Sequence, residues 1–110
     1  MGISYGALNV IDYSTLSAGS TAVTLASASP AMDVTAGTVG GKRVRRALFT
    51  VEDQACRWRA DGTAPTATEG HELADADILT LIEANYEEVL KAIQFIAVTG
   101  TSKLKITFFD

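Results

Sequence analysis

RRALFTVEDQACRWRADGTAPT, residues 45–66, decides the fold of this 110-residue chain. Two segments in which apolar and polar side chains alternate lie on either side of a turn at residues 53 and 54. Such alternation predicts a β-hairpin, with one face in the core and the other face carrying guanidinium groups. The cross-strand pairs expected from a turn at that position are Phe49 with Trp58, Val51 with Cys56, Thr50 with Arg57, and Leu48 with Arg59.

A second hairpin is predicted from residues 92–98 and 103–109. Both segments have the residue content of strands, and the residues between them, 99–102, form a four-residue loop that contains Gly100. We expect one side of this hairpin to enter the core and the other to face water. The core pairs are Ile93 with Phe108, Phe95 with Ile106 and Ala97 with Leu104, and the residues facing water are Lys103, Lys105 and Thr107.

Three further segments have the composition of short strands. Residues 8–13 are short enough for an edge strand, and residues 21–26 alternate and include β-branched side chains. Residues 77–82 are apolar on both faces, as expected of a strand at the centre of a sheet. Turn signals recur about every 8 to 12 residues, which is typical of all-β domains.

Residues 83–91 depart from the strand pattern. Tyr86, Val89, Leu90 and Ile93 follow the spacing i, i+3, i+4 and i+7 of an amphipathic helix. We therefore predict an all-β fold, an antiparallel β-sandwich or jelly roll of about seven to eight strands, with a short helical insert near residues 83–91. The spacing of the strands does not distinguish a sandwich from a jelly roll.

Length and composition indicate a single domain, residues 1–110, with a thin core. Apolar residues make up 47% of the chain, but many of them are Ala or Val. We therefore expect contacts between subunits to supply part of the stability. Residues 27–41 are rich in Ser, Ala, Thr and Gly around Pro30, which predicts an extended loop or arm. We expect a partner chain to hold this arm in place.

The charges are segregated along the chain. Six of the nine basic residues lie between Lys42 and Arg59, whereas residues 61–88 hold eight acidic residues and no Lys or Arg. Two interpretations are open: the basic segment docks on an acidic surface of a neighbour, or the two segments neutralise each other within one chain. The net charge of −4 argues against a general affinity for nucleic acid.

Reactive residues are few and form no catalytic or metal-binding pattern. His71 is the single histidine and Cys56 the single cysteine, so no zinc cluster, internal disulfide or His-based triad is predicted. The Arg57-Trp58-Arg59 triplet is similar to a nucleic-acid contact, but alternation turns Trp58 towards the core and away from both arginines. No segment approaches the roughly 20 apolar residues of a membrane span. We therefore expect no enzyme, cofactor, small-molecule substrate, nucleic acid or membrane partner.

Five short motifs are spread over roughly residues 47–110. They are CRWR at 56–59, DGTAPTA at 61–67, GHEL at 70–73, FI at 95–96 and LKITFF at 104–109. Together they resemble small virion structural proteins of tailed bacteriophages, of the head decoration or cement type. The resemblance implies a non-enzymatic β-sandwich or jelly-roll module of the head, the head-tail junction or the tail. The acidic insert and the Ala/Ser/Thr-rich N-terminal part do not match, which leaves the position in the particle open.

The function that this resemblance implies is mechanical. We expect a capsid decoration protein that is made in the host cytoplasm and binds the exterior of the virion head. Its partners are the major capsid protein and neighbouring copies of itself, as a homotrimer. Burying apolar area across capsid-subunit seams raises the free energy needed to open the shell, by about 25 cal/mol per Å². The residues expected on the docking surface are Arg43, Arg45, Arg57, Arg59, Pro30 and Met32.

Two alternatives are open. The first is a component of the tail or of the head-tail connector. The second is a jelly-roll carbohydrate-binding module for host attachment, since sandwiches also bind sugars on an aromatic strand face. The assignment of Trp58 to the core leaves few exposed aromatic side chains for this second alternative.

Overall fold

Two four-stranded antiparallel sheets pack face to face in the computed structural model, which describes residues 9–81 and 86–110. Within these ranges the chain also forms a 3-10 turn at Leu25–Ser27 and a helix, α1, at Glu87–Ala92. The ten strands of the described residues are β1 (Val10–Ala18), β2 (Val23–Thr24), β3 (Thr38–Val39), β4 (Lys42–Arg43), β5 (Arg46–Glu52), β6 (Cys56–Arg59), β7 (His71–Leu73), β8 (Ile78–Leu81), β9 (Gln94–Ala97) and β10 (Ser102–Phe109).

The strand order is nested. Sheet A has the order β1, β10, β5, β8, and sheet B has the order β2, β9, β6, β7, while β3 and β4 pair with each other as a short ribbon. With the ribbon left aside, the first strand pairs with the last, the second with the second last, and so on inwards. This is the strand order of a jelly roll. The predicted all-β antiparallel fold is therefore confirmed, and of the two architectures the chain adopts the jelly roll.

The hairpin predicted in residues 45–66 is wrong, because β5 and β6 lie in different sheets. β5 pairs with β10 and β8, whereas β6 pairs with β7 and β9. The turn between them, which contains Asp53 at a φ of +76°, crosses from one sheet to the other. Alternation still determines which side chains face the core: Phe49, Val51 and Cys56 are all fully buried.

The second predicted hairpin is wrong for the same reason. β9 lies in sheet B between β2 and β6, while β10 lies in sheet A between β1 and β5. Phe95 therefore pairs with Trp58, and Ile106 pairs with Phe49. The two sheets meet where the rings of Phe49 and Phe95 lie 5.4 Å apart. A strand shows the same alternation whether the next strand in the chain lies beside it or in the opposite sheet. Periodicity alone therefore cannot identify the strand with which it pairs.

The three remaining strand predictions are partly correct. The segment predicted at residues 8–13 is an edge strand, but β1 is longer, and residue 8 lies outside the described residues. Within residues 21–26 only β2 is a strand, because the 3-10 turn follows it directly. Residues 77–82 contain an edge strand instead of a central one, since β8 closes one side of sheet A and leaves Ile78 62% exposed.

The helical insert is confirmed over part of its predicted range. The helix α1 begins at Glu87, and residues 82–85 lie outside the described residues. Leu90 is fully buried, and Tyr86 and Val89 are partly buried against the same core. The apolar spacing in the sequence therefore identified the face by which α1 packs.

Residues 27–41 pack on their own chain and do not form an extended arm. Ala28 and Met32 are buried in the core, and Ser29 exchanges two backbone hydrogen bonds with Thr15 of β1. The segment also contains β3. With the two strands of the ribbon, the number of strands in the described residues exceeds the predicted seven to eight. Contacts within the chain therefore hold this segment against β1 and the core.

Truncation of Phe49 to alanine should lower the free energy of unfolding by about 3–5 kcal/mol, because its fully buried ring fills the space between the sheets. Leu48→Ala is the matched control. Leu48 is the neighbouring residue of β5, points away from the core and is half-buried, so a loss below about 1.5 kcal/mol is expected. Urea denaturation measures both values. Equal losses would contradict the assignment of the two faces of β5.

Candidate functional site

The six residues predicted for docking do not form one surface. Two of the arginines lie on β6 of sheet B, one lies in the ribbon and one directly precedes β5 of sheet A. Pro30 is exposed, and its carbonyl oxygen accepts a hydrogen bond from the hydroxyl of Ser14. Met32 is 1% exposed, because its side chain completes the core. The prediction that Met32 lies on a docking surface is therefore wrong.

Arg57 acts as a clamp within the chain. Its Nε donates a 3.0 Å hydrogen bond to the carbonyl oxygen of Ala67, and its Nη1 donates one of 3.0 Å to the carbonyl oxygen of Gly70. The guanidinium also pairs with Glu72 of β7 at 3.4 Å. Its donors are thus directed at groups of the same chain, and 22% of the side chain is exposed. Arg57 therefore ties the loop 60–70 to β6.

Thr66 and Gly70 shape the same loop. The Oγ1 of Thr66 accepts hydrogen bonds from the backbone N–H groups of Thr68 at 3.3 Å and Glu69 at 3.0 Å. Gly70 has a φ of +132°, and a Cβ at this position would lie 3.1 Å from the carbonyl oxygen of Trp58. The loop can return this close to β6 only because residue 70 has no side chain.

Arg59 and Asp61 form a planar ion pair where the loop begins. The Nε of Arg59 donates a 3.0 Å hydrogen bond to Oδ1 of Asp61, and its Nη2 donates to Oδ2. This bonding lowers the pKa of Asp61 to about 2 and raises the pKa of Arg59. Both side chains are in contact with solvent, so the pair contributes little to stability. Its effect is to fix the orientation of the two planar groups.

Of the other two arginines, Arg43 binds within the chain through its side chain and Arg45 through its backbone. Arg43 of the ribbon pairs with Glu87 at the start of α1, and this hydrogen bond lowers the pKa of Glu87. The backbone N–H of Arg45 donates to the carbonyl oxygen of Phe109, and its own carbonyl accepts from the N–H of Tyr86. The side chain of Arg45 is half-buried. Both arginines therefore connect α1 or β10 to the segment that enters β5.

These ion pairs join the basic and acidic segments of the sequence. The carboxylates at positions 61, 72 and 87 belong to the acidic stretch 61–88, and their arginine partners belong to the basic stretch. Of the two interpretations of the charge pattern, the described residues support neutralisation within one chain. Three of the four predicted docking arginines thus already have carboxylate partners.

A different surface, which the sequence did not single out, is partly exposed. It is the outer face of sheet A, where cross-strand rows run from β1 through β10 and β5 to β8. Tyr13 and Ile78, at its two edges, are 53% and 62% exposed. We call this surface the sheet A face. Its members are Tyr13, Thr15, Ser17, Leu48, Thr50, Glu52, Ile78, Thr80, Lys103, Lys105 and Thr107.

The sheet A face carries both signs of charge at one end and a lysine at its centre. Lys103, at one end, is 53% exposed and pairs with Asp53 in the turn after β5 at 3.6 Å. Lys105 lies in the central row, between Thr15 of β1 and Thr50 of β5. Glu52 of β5, the cross-strand partner of Lys103, adds a carboxylate at that end of the face, while the central row that contains Lys105 has none. Alternation along β10 correctly predicted that its lysines point outwards, but it could not identify the strands on either side of them.

An open cleft of about 560 Å³ lies beside the loop 60–70, at one end of β6 and β7. Trp58 packs against the core, as predicted, but it is only half-buried and also lines this cleft. His71, its cross-strand neighbour on β7, has its ring centroid 4.7 Å from that of Trp58. The remaining lining residues are Arg59, Ala60, Asp61, Glu69 and Gly70.

Cys56 is a buried structural side chain. It is fully buried, and burial raises its pKa to about 11, an effect that the hydroxyl of Ser102 partly offsets. A thiol that remains protonated at neutral pH is a weak nucleophile. In the described part of the chain, no three or more His, Cys, Asp or Glu side chains are grouped so that they could hold a metal ion.

Comparisons with known proteins give no family assignment. Models of protein families, curated proteins and solved structures were searched, and none matches this chain. In residues 9–81 and 86–110, no helix is both long enough and apolar enough to cross a membrane. The chain's own motifs and surfaces therefore carry the information on function.

Gly70→Ala should lower the free energy of unfolding by about 3 kcal/mol or more, since φ is +132° and the new Cβ meets Trp58, Arg57 and Pro65 at 3.1 to 3.2 Å. Gly62→Ala is the control. Gly62 also has a positive φ, +86°, but nothing lies within 4 Å of the added Cβ, so only the backbone strain of about 1–2 kcal/mol is expected. Thermal unfolding of both variants measures the two losses of stability. A larger loss for Gly62→Ala than for Gly70→Ala would contradict the prediction.

Cys56 should make the fold less stable above about pH 9. The thiol has a pKa of about 11 in the folded chain and an ordinary value of 9.0. A thiol whose pKa is raised by folding makes a contribution to stability that is complete when the pH is below the ordinary pKa. This contribution is lost as the pH rises towards the pKa of the folded chain. The stability advantage of wild type over Cys56→Ala should therefore shrink by about 2 kcal/mol between about pH 8 and pH 11. A constant difference across this range, measured by urea denaturation, would refute the prediction.

Proposed function

We propose that this chain is a structural protein of a tailed-bacteriophage virion, a decoration protein that binds the major capsid protein and stabilises the head. One support is the resemblance of the motifs between residues 56 and 109 to small virion proteins. The other is the jelly roll, an architecture that is common among viral capsid domains. The expected assembly is a homotrimer on the capsid exterior.

The sheet A face is the observation that carries the proposal, and it replaces the docking surface that was predicted from the arginines. It combines exposed apolar side chains, Tyr13 and Ile78, with Lys105 at its centre. Aromatic side chains are enriched in protein interfaces, and complementary charges set the orientation of the partners. The partner surface that fits is acidic opposite Lys105 and apolar at its margins. We assign it to the major capsid protein.

Docking through the sheet A face would stabilise a shell by linking neighbouring capsid subunits. An interface of ordinary size buries about 800 Å² on each partner. Its apolar part contributes about 25 cal/mol per Å², from which the loss of mobility on association is subtracted. Three copies joined in a trimer engage three sites at once, because each bound copy raises the effective concentration of the other two. A seam bridged in this way opens only after these contacts break.

Binding to undecorated heads tests the proposal. Purified protein should co-sediment with such heads up to a saturating amount and should raise the temperature at which they rupture. Lys105→Glu reverses the charge at the centre of the sheet A face and should weaken binding by about tenfold or more. Lys42→Glu makes the same change of charge on the ribbon, outside this face, and should bind like wild type.

Three results would count against a decoration role. The first is the absence of saturable binding, and the second is an unchanged rupture temperature. The third is equal binding by Lys105→Glu and Lys42→Glu, which would remove the sheet A face from the interface. Saturable binding to isolated tails or connectors, without binding to heads, would move the proposed binding site from the head to that part of the particle.

A further inference from the structure

The cleft beside the loop 60–70 has an aromatic wall and a rim of planar polar groups. Trp58 and His71 form the wall, with their ring planes 37° apart, and Arg59, Asp61 and Glu69 contribute to the rim. The side chain of His71 is exposed, so solvent reaches the wall. The volume of about 560 Å³ lies within the roughly 300–1,000 Å³ that is usual for small-molecule sites.

Contacts behind the cleft hold its shape. Arg57 binds the carbonyl oxygens of Ala67 and Gly70, and the hydroxyl of Thr66 fixes the turn that leads to Glu69. None of these bonds uses the carboxylate of Glu69, which lies near the guanidinium of Arg59, or the imidazole of His71, which lies against Trp58; both residues line the cleft. A site whose walls are fixed before binding loses less conformational entropy when its ligand arrives.

The combination of donors and acceptors indicates the class of ligand. Arg59 supplies N–H donors, Asp61 and Glu69 supply carboxylate oxygens, and the imidazole of His71 supplies two ring nitrogens. A sugar hydroxyl both donates and accepts, and the C–H face of a sugar ring packs on an aromatic ring such as that of Trp58. We propose that this cleft binds a neutral sugar unit of an oligosaccharide, with the sugar ring against Trp58 and its hydroxyls on the rim.

Charge argues against two other classes of small molecule. The cleft is lined by two carboxylates and one guanidinium, so a phosphate or sulfate group would meet a net negative charge. A cation would find Asp61 already bound to Arg59, which leaves only Glu69 of the two lining carboxylates to pair with it. An uncharged ligand with many hydroxyl groups brings no charge that the lining residues would have to neutralise.

The sugar site goes beyond the proposed function and does not depend on it. No residue that lines the cleft belongs to the sheet A face. A copy docked through that face therefore keeps its cleft residues out of the interface. Decoration of a head by such copies would place an array of sugar sites on the particle, where multivalent binding strengthens weak individual contacts.

Trp58 provides the readout, because it is the only tryptophan of the chain and it lines the cleft. A glycan array selects the oligosaccharide, which is then titrated into the full chain. Saturable change in tryptophan fluorescence is expected. Glu69→Gln should weaken the affinity by about tenfold, because it loses a charge-assisted hydrogen bond to the sugar. Asp75→Asn removes the same charge from the exposed turn before β8 and should stay within about twofold of wild type.

The proposal is overturned if the array gives no hits, or if the titration leaves Trp58 fluorescence unchanged. Equal affinities of Glu69→Gln and Asp75→Asn would also overturn it, as would a saturating ligand of the cleft that is a peptide. Far-UV circular dichroism verifies that each variant is folded. Lys105→Glu should bind the sugar like wild type but should bind undecorated heads more weakly. The two measurements therefore distinguish failure of the sugar site from failure of the decoration proposal.

Discussion

The packing of the two inner sheet faces is the constraint on which the rest of the molecule depends. Phe49 of sheet A and Phe95 of sheet B meet at the centre of this contact. Most inward positions of the strands are taken by apolar side chains, and Ser14 and Ser102 are the buried polar exceptions among the described residues. Outward positions and loops are therefore the ones available for binding. The sheet A face and the loop 60–70 are the two places where we propose binding, and they have no residue in common.

Arg57 illustrates how a charge can serve the fold. On the outer side of β6 its guanidinium reaches two loop carbonyls and Glu72 of β7, acceptors that would otherwise have to be satisfied by water. The planar group with several donors suits this task better than an ammonium group, which has no fixed fork of N–H bonds. Because the loop is held in this way, it forms one side of the cleft. The basic stretch therefore contributes to the fold by positioning a loop.

Local pattern predicted the class of fold, the inward positions and the helix, but not the strand partners. Phe49 and Trp58 both point inwards, and nothing within a strand states whether its neighbour lies beside it or in the other sheet. Met32 was misplaced because a Ser/Ala/Thr-rich segment gives no periodic signal, although its few apolar residues enter the core. The cleft depends on the return of the chain at Gly70, a contact with no signature in local sequence apart from the glycine itself.

The pairing of β1 with β10 determines when sheet A can form during translation. Even the closest pair in this ladder joins Ala18 to Ser102, so most of the chain lies between the two partners. Loop closure over such a distance costs entropy, and folds dominated by distant pairings form slowly. On the ribosome, β1 emerges first and has no partner in its sheet until β10 has been translated. Every nascent copy therefore passes through an interval in which β1 has no partner strand, and an unpaired strand is liable to aggregate.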